Sequence, residues 1–456
     1  MPQDGPRWSQ DGRRSPQDGP EIGYSRQSWL QDGPKMAEDR PKMAPRSGMV
    51  AKAEQLDIKD PLRDKAQAFS LLANTVYLDG NSLGPLPKAA RQRADEVVNE
   101  QWGKGLITSW NKHQWIHLPQ IVGDKIGGLI GAKSGQVICC DSISINLFKV
   151  LSAALKMQPS RKVIATTRDN FPTDIYMVQG LLDLLGSDYS IRYVDEACIG
   201  SQLTDDIAVL MLTQVNFRSG NKLDMQTITE QAHQKGVLTL WDLAHSAGAF
   251  PVSLDACNVD FAVGCTYKYL NGGPGAPAFI YVAKRHQAQY QQPLSGWMGH
   301  SSPFSFSPDY AGDNSVKQNL CGTPGIVGMS ILDAALDVFE DVSLKAIDEK
   351  SKKLQAFFIA EAKRAGLLDK FSIVSPNIDN RGSQLAFAHD HAYAICQAWI
   401  AEGVIADFRA PNILRIGFAP LYLSFVDIEK AVASLTEIMN EKRYENDEFQ
   451  QRQSVT

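Results

Sequence analysis

Lys268 stands between two tyrosines, in Cys265-Thr266-Tyr267-Lys268-Tyr269-Leu270, and directly ahead of the glycine-rich Asn271-Gly272-Gly273-Pro274-Gly275. Most lysines are solvated surface groups. One held among aromatic rings beside a tight turn is partly desolvated, and such an amine can act as a nucleophile. A second group is Asp242-Leu243-Ala244-His245-Ser246. A carboxylate where a strand ends is either a helix N-cap or a charge aimed at a ligand, and local sequence leaves both open. His245 alone reads as a hydrogen-bonded structural imidazole. The third is Asp169-Asn170-Phe171-Pro172-Thr173-Asp174, which offers an aromatic face and a carboxylate, or equally a proline turn and a helix cap.

Other chemistries find little support. The chain has no GxSxG, no phosphate-binding Walker loop and no HExxH. His113 and His117 are spaced for one helix face but lack a carboxylate partner, and His389-Asp390-His391 has strand-like spacing, so no metal site is expected.

The elements that must position these groups follow from alternating patterns. Short apolar runs at Val137–Cys140, Lys162–Thr166, Ala208–Thr213 and Val237–Trp241 read as buried strands. Helical stretches at Asn146–Leu155, Ile175–Leu185 and Asp224–Lys235 lie between them, and one from Pro87 to about Trp102 precedes them. This βαβ order implies an open, mostly parallel sheet covered on both faces, with ligands beyond the carboxyl ends of its strands. A long helical stretch, Met329 to about Arg364, leads into a smaller α+β unit with strands near Phe371–Val374, Gln384–Ala388 and Ile413–Gly417 and a helix at Ala392–Glu402.

The 456 residues carry 46 Lys+Arg against 51 Asp+Glu, a net charge of −5, which gives no bulk reason to seek nucleic acid or an anionic membrane. No apolar run approaches the roughly 18 residues of a spanning helix. The first 50 residues repeat Gln-Asp-Gly-Pro at 3–6, 17–20 and 31–34, and their composition suits a disordered low-complexity tail. The seven cysteines form no CxxC pair and read as small buried hydrophobes of a reducing compartment. No signal peptide is expected, and cytoplasm is the default.

Several segments together resemble kynureninases of the bacterial type, pyridoxal-phosphate enzymes of the large aspartate-aminotransferase-like fold. They are Tyr77-Leu78-Asp79-Gly80-Asn81-Ser82-Leu83-Gly84-Pro85-Leu86-Pro87, Phe171–Asp174, Asp242–Gly248, Tyr267–Gly275, Gly296-Trp297-Met298-Gly299-His300 and Arg415-Ile416-Gly417-Phe418-Ala419-Pro420-Leu421-Tyr422. The likeness spans about residues 55 to 440. It implies an α/β large domain with a mostly parallel seven-stranded sheet over 81–330 and a smaller α+β domain over 331–445. It further implies an N-terminal segment, 51–80, packing on the small domain, and a flexible tail over 446–456.

The resemblance also implies roles. Lys268 holds pyridoxal 5′-phosphate and moves protons, Asp242 pairs with its ring nitrogen, and His245 orients Asp242 or lies near the ring. Phe171 covers the ring, Pro172 and Thr173 adjoin it, and Asp174 meets its hydroxyl region. Ser144, the backbone at Ile143, and Tyr267 hold the phosphate, Thr213 adds a cofactor contact, and Tyr267 is a candidate acid. Arg415 clamps the substrate carboxylate and Asn81 joins it. Trp297 and Thr323 reach the phosphate or substrate across a homodimer interface. The implied reaction is hydrolysis of L-kynurenine, and of its 3-hydroxy derivative, to anthranilate or 3-hydroxyanthranilate and L-alanine, within tryptophan degradation and NAD precursor synthesis. Ser144 keeps the hydroxyl of a position where threonine is common. Thr323 replaces the asparagine of other members and is expected to favour kynurenine. The rival readings are a cysteine desulfurase or aminotransferase of the same fold, and a non-catalytic relative. A desulfurase needs a nucleophilic cysteine on a loop, and neither Cys321 nor Cys396 sits in a recognisable loop motif, while an aminotransferase would not share the Gly296–His300 segment. A non-catalytic relative would require a missing catalytic group, and none is missing.

Overall fold

The computed structural model describes residues 47–453. The repeats of the expected N-terminal tail lie outside them. Its last residues, from Ser47, open a helix that runs to Ile58.

Thirteen strands follow in chain order: β1 (Val76–Tyr77), β2 (Val137–Cys139), β3 (Val163–Thr167), β4 (Ser190–Val194), β5 (Ile207–Thr213), β6 (Leu238–Asp242), β7 (Phe261–Gly264), β8 (Phe279–Val282), β9 (Ser372–Ile373), β10 (Gln384–Ala388), β11 (Val404–Ile405), β12 (Asp407–Arg409) and β13 (Ile413–Gly417). Seven of them form the main sheet in the order β2-β8-β7-β6-β5-β3-β4. The pairs from β7 through β6, β5 and β3 to β4 are parallel, and β8 runs antiparallel to both β7 and β2.

The apolar runs are continuous because both faces of this sheet are covered. Alternate residues serve two separate cores. Val209, Met211, Leu240 and Val263 join one cluster with Leu147, Val150 and Val178 from helices Ile143–Met157 and Pro172–Leu185. Leu210, Leu212, Trp241 and Ala262 join the other with Val122, Ile126, Ile228 and Ala232 from helices Leu118–Leu129 and Met225–Gln234.

The second sheet has the antiparallel order β12-β13-β10-β9. Phe358 of helix Leu344–Arg364 meets Phe387 of β10 at 5.8 Å and Phe418 at 6.0 Å. The first helix belongs here too. Both Asp57 oxygens accept from the opening amides of helix Phe425–Glu441, Phe425 N at 2.7 Å and Val426 N at 3.1 Å, where a carboxylate suits the helix dipole. β1 pairs in parallel with β11.

Three expectations need correction. The single helical stretch from Met329 to Arg364 is two helices, Ile326–Ala335 and Leu344–Arg364, parted by the turn Leu336–Phe339 and by Asp341 in the left-handed region. Ser343 caps the second through Lys345 N at 3.2 Å. The C-terminal tail is not wholly irregular, because Asp447–Gln450 is a helical turn tied back by Gln450 Nε2 to Tyr444 O at 2.6 Å. Cys198 is exposed, and Cys257 and Cys321 are half-buried, so only four of the cysteines are core residues.

Candidate active site

Strands β3, β5, β6 and β7 end on one side of the main sheet, and the groups with chemistry collect there. Asp242 closes β6 opposite Thr213 of β5. Its carboxylate is buried, with Oδ1 accepting from Ala244 N at 2.7 Å. No helix follows β6, so Asp242 is not a helix N-cap: Oδ1 closes a turn, and Oδ2 lies toward Thr213. Thr213 Oγ1 lies against Asn170 Oδ1, with Asp174 Oδ2 at 3.4 Å and Asp242 Oδ2 at 3.5 Å. Asp174 sits in the first turn of helix Pro172–Leu185, after Phe171, Pro172 and Thr173. Two buried carboxylates thus share one hydroxyl. Burial and the neighbouring Asp242 push the Asp174 carboxyl well above its usual range, and burial raises Asp242 against the pull of Lys268.

Lys268 reaches the same space from the connection between β7 and β8. Its Nζ is 3.1 Å from His245 Nε2, 5.9 Å from the Phe171 ring centre and 5.8 Å from that of Tyr267. The loop is fixed by close backbone packing. Gly84 N donates to Tyr267 O at 2.7 Å, and Asn271 N to Lys268 O at 2.9 Å. A Cβ on Gly84 would stand 2.3 Å from Lys268 O, which is why glycine is required there. Burial first, then the charges of Lys268, Arg415 and Arg409, hold His245 neutral. With the lysine donating to Nε2, the ring proton belongs on Nδ1, which has no partner. Burial likewise raises the Tyr267 phenol, so it keeps its proton. Phe171 packs edge-on to Phe217 at 5.2 Å and leaves 40% of its surface open.

Ile143 and Ser144 form the first turn of helix Ile143–Met157, behind the Ser142 cap, where free amides suit an anion. Arg415 of β13 is buried beside Asn81, whose amide oxygen, turned toward the guanidinium, accepts from Nε at 3.0 Å and Nη2 at 3.3 Å. Trp297 and Thr323 are not joined to Lys268 by any hydrogen bond or ring contact among the described residues. Trp297 instead meets Phe304 at 5.6 Å and Phe306 at 6.5 Å, and Thr323 is exposed.

Four residues at this site were not singled out from sequence: Asn170, Ser82, Asp407 and Arg409. Asn170 and Ser82 lie within quoted segments, so position could have flagged them. Asp407 and Arg409 become visible only through the pairing of β12 with β13.

Pyridoxal 5′-phosphate fits these residues. The group needs a lysine amine, a carboxylate for its ring nitrogen, a donor or acceptor for its ring oxygen and an aromatic face. Asp174 Oδ1 and His245 Nδ1 are buried without partners at this place, and both neighbour Lys268.

Solved structures share the architecture. The cysteine desulfurase of Thermococcus onnurineus NA1 superposes with a TM-score of 0.71 over 83% of this chain and 98% of its own, at 18% identity. A C-DES variant with glycine covalently linked to its PLP cofactor gives 0.70 over 81% and 98%, at 15% identity. These likenesses define the fold class, the aminotransferase-like fold of pyridoxal-phosphate enzymes. Sequence defines the family. Residues 347–435 match the kynureninase C-terminal domain model. A kynureninase of Burkholderia pseudomallei (strain 1106a) is 49% identical over 409 residues, 88% of this chain and 98% of the relative. One of Pseudomonas fluorescens is 45% identical over 407 residues, with the same coverage. The chain belongs to the kynureninase family, and its cofactor is pyridoxal 5′-phosphate.

Proposed function

We propose that this chain hydrolyses the Cβ–Cγ bond of L-kynurenine, so that substrate and water give anthranilate and L-alanine, with 3-hydroxy-L-kynurenine as a second substrate. The observation that carries the site assignment is the meeting of Lys268, two buried carboxylates and the open Phe171 face at one end of the sheet.

When bound, the cofactor supplies an electron-accepting ring that takes up the charge developing on the substrate's carbons. Lys268 Nζ attaches it and then carries protons to and from the reacting carbons. Asp242 is the partner of the ring nitrogen, and its burial strengthens that contact. Asp174 and Thr213 meet the ring oxygen. Phe171, flanked by Pro172 and Thr173, covers the face and excludes water, while neutral His245 holds Lys268 and Asp242 in register. The amide at Ile143, the hydroxyl of Ser144 and Tyr267 hold the phosphate. Tyr267, whose phenol is protonated and whose ring centre lies 5.8 Å from Lys268 Nζ, is also the proton donor for the carbon released when the bond breaks. Arg415 and Asn81 receive the α-carboxylate.

The enzyme acts as a homodimer in which Trp297 and Thr323 serve the neighbouring subunit's site. Supporting this, Trp297, Phe304 and Phe306 stand 39%, 62% and 77% exposed in the single chain, a patch that a partner would cover. Thr323 favours kynurenine over its 3-hydroxy form. We place the boundary of large and small domains at residues 330 and 331, and the enzyme in the cytoplasm, in tryptophan degradation toward NAD precursors.

The test is a visible absorbance scan followed by an assay with L-kynurenine. Wild type is expected to show lysine-bound cofactor and to release fluorescent anthranilate, and Lys268→Ala to lose both. A protein that yields sulfide from cysteine and no anthranilate refutes the reading.

A further inference from the structure

Arg415 is already largely committed within the chain. Its Nε donates to Asp407 Oδ1 at 2.8 Å and its Nη2 to Asp407 Oδ2 at 2.5 Å. Nη2 also donates to Ser82 Oγ at 2.7 Å, and Nη1 to Phe217 O at 2.6 Å. The Nε and Nη2 hydrogens are thus shared among Asp407, Ser82 and the Asn81 oxygen, and a single N–H is left, on Nη1. Its fork faces Asp407, and its charge is offset by a carboxylate that is itself buried. A substrate carboxylate reaching Arg415 alone meets a neutral ion pair.

The strand register supplies a second cation. Asp407 lies directly opposite Arg415, and Arg409, two residues further along β12, projects from the same face. Arg409 Nη2 contacts Asp407 Oδ2 at 2.6 Å and Ser82 Oγ at 3.1 Å. Its Nε and Nη1 have no partner among the described residues. Its side chain is 36% exposed, where that of Arg415 is 1%. With Asp407 at minus one and each arginine at plus one, the group carries one net positive charge, the complement of one carboxylate. Below about pH 7 Asp79 does not cancel it, because burial and Asp407 push its carboxyl up to about 7. The field of both arginines is felt at His245, which contacts Lys268.

We infer that Arg409 is a second residue binding the substrate's α-carboxylate, and that Asp407 and Ser82 are positioning residues that hold the two guanidinium groups side by side. Arg415 then contributes orientation and Arg409 the net attraction. The inference rests on the site assignment above, and its test separates the two.

The experiment compares wild type, Arg409→Gln and Arg409→Lys as cofactor-loaded enzymes. L-alanine and L-alaninamide are titrated against the visible absorbance of the cofactor, and KM and kcat are measured with L-kynurenine. For Arg409→Gln we expect the dissociation constant for L-alanine and the KM to rise about tenfold or more, with kcat within about threefold of wild type. The alaninamide constant and the cofactor spectrum should not change, and Arg409→Lys should recover most of the loss. An equal loss for alanine and alaninamide, or none for either, overturns the role of Arg409. If Arg409→Gln does not accumulate as folded protein, Arg409→Met takes its place as the charge-removing variant: unchanged binding of both ligands or equal weakening of both overturns the role, whereas a selective weakening for alanine upholds it. A wild type that binds alanine yet leaves L-kynurenine intact refutes the proposed function instead.

Discussion

Asp174→Asn should make the cofactor-free protein more stable while crippling the loaded enzyme. Asp174 is fully buried, its Oδ1 has no partner, and Asp242 lies across the same threonine hydroxyl. An orphaned buried polar atom costs about 1–3 kcal/mol, and relief of the carboxylate pairing adds to the gain. Asparagine is nearly isosteric and can donate to Asp242 without bringing a charge. The sign of the pH dependence follows from the raised carboxyl. An acid whose folded pKa lies above its unfolded value of about 4 lets the fold keep full stability below pH 4, and the protein loses stability as pH rises through the folded value. The gain from Asp174→Asn should therefore be about 1–3 kcal/mol at pH 8 and fade toward pH 4.5. Thermal unfolding of the stripped protein at a fixed scan rate would show this as a rise on the order of 1–4 °C. The loaded variant should lose at least about tenfold in kcat/KM if, as proposed above, Asp174 is the carboxyl partner of the cofactor's ring oxygen. A cofactor-free variant no more stable than wild type at pH 8, or a gain that ignores pH, would refute the reasoning.

Two further perturbations probe other parts of the fold. Gly84→Ala brings a Cβ to 2.3 Å from Lys268 O and 2.5 Å from Asn271 Oδ1, so the lysine loop must move. Cofactor retention on dialysis should fall about tenfold and stability by roughly 1–3 kcal/mol; a variant that keeps its cofactor like wild type contradicts the packing argument. Away from the site, burial opposes ionisation of Asp260, but hydrogen bonds from His233, His286 and Thr239 N outweigh it and hold the carboxyl far below its usual range. The stability it contributes is present above about pH 4 and lost as pH falls further. Asp260→Asn should cost about 3 kcal/mol near neutral pH and flatten the acid limb of the stability curve, and a parallel acid limb in both proteins would count against it.

What could be read from sequence follows from where the signals are local. The buried strands announced themselves because residues such as Ile207–Leu212 face apolar cores on both sides, and β10 ends with its apolar run, at Ala388 before His389. The break between Ala335 and Leu344 was hidden because Leu336, Val338 and Phe339 remain buried through the turn, so the apolar pattern did not lapse with the helix. Lys268, Asp242 and Asp174 were legible as strand-end and turn residues. Asp407 and Arg409 were not, because a three-residue strand has no periodicity, and their importance comes from a cross-strand partner. Likewise, the sequence marks Arg415 as a cation but does not say that Asp407 already occupies its fork.

The antiparallel β8 has a consequence for how the chain is made. Among the described residues β2 pairs with no strand except β8, Val137 against Tyr281 and Cys139 against Phe279. The helix that presents Ile143 and Ser144 begins four residues after β2 ends. A ribosome that has emitted the first two hundred or so residues has therefore delivered Ile143 and Ser144, proposed above to hold the phosphate with Tyr267, without the strand that anchors their helix. Pairing across so long a stretch closes late and slowly compared with local contacts. Lys268 lies just before β8, so the strand that seats the phosphate turn emerges directly behind the lysine. A truncated product ending before residue 279 has Ile143 and Ser144 but lacks the strand that β2 pairs with.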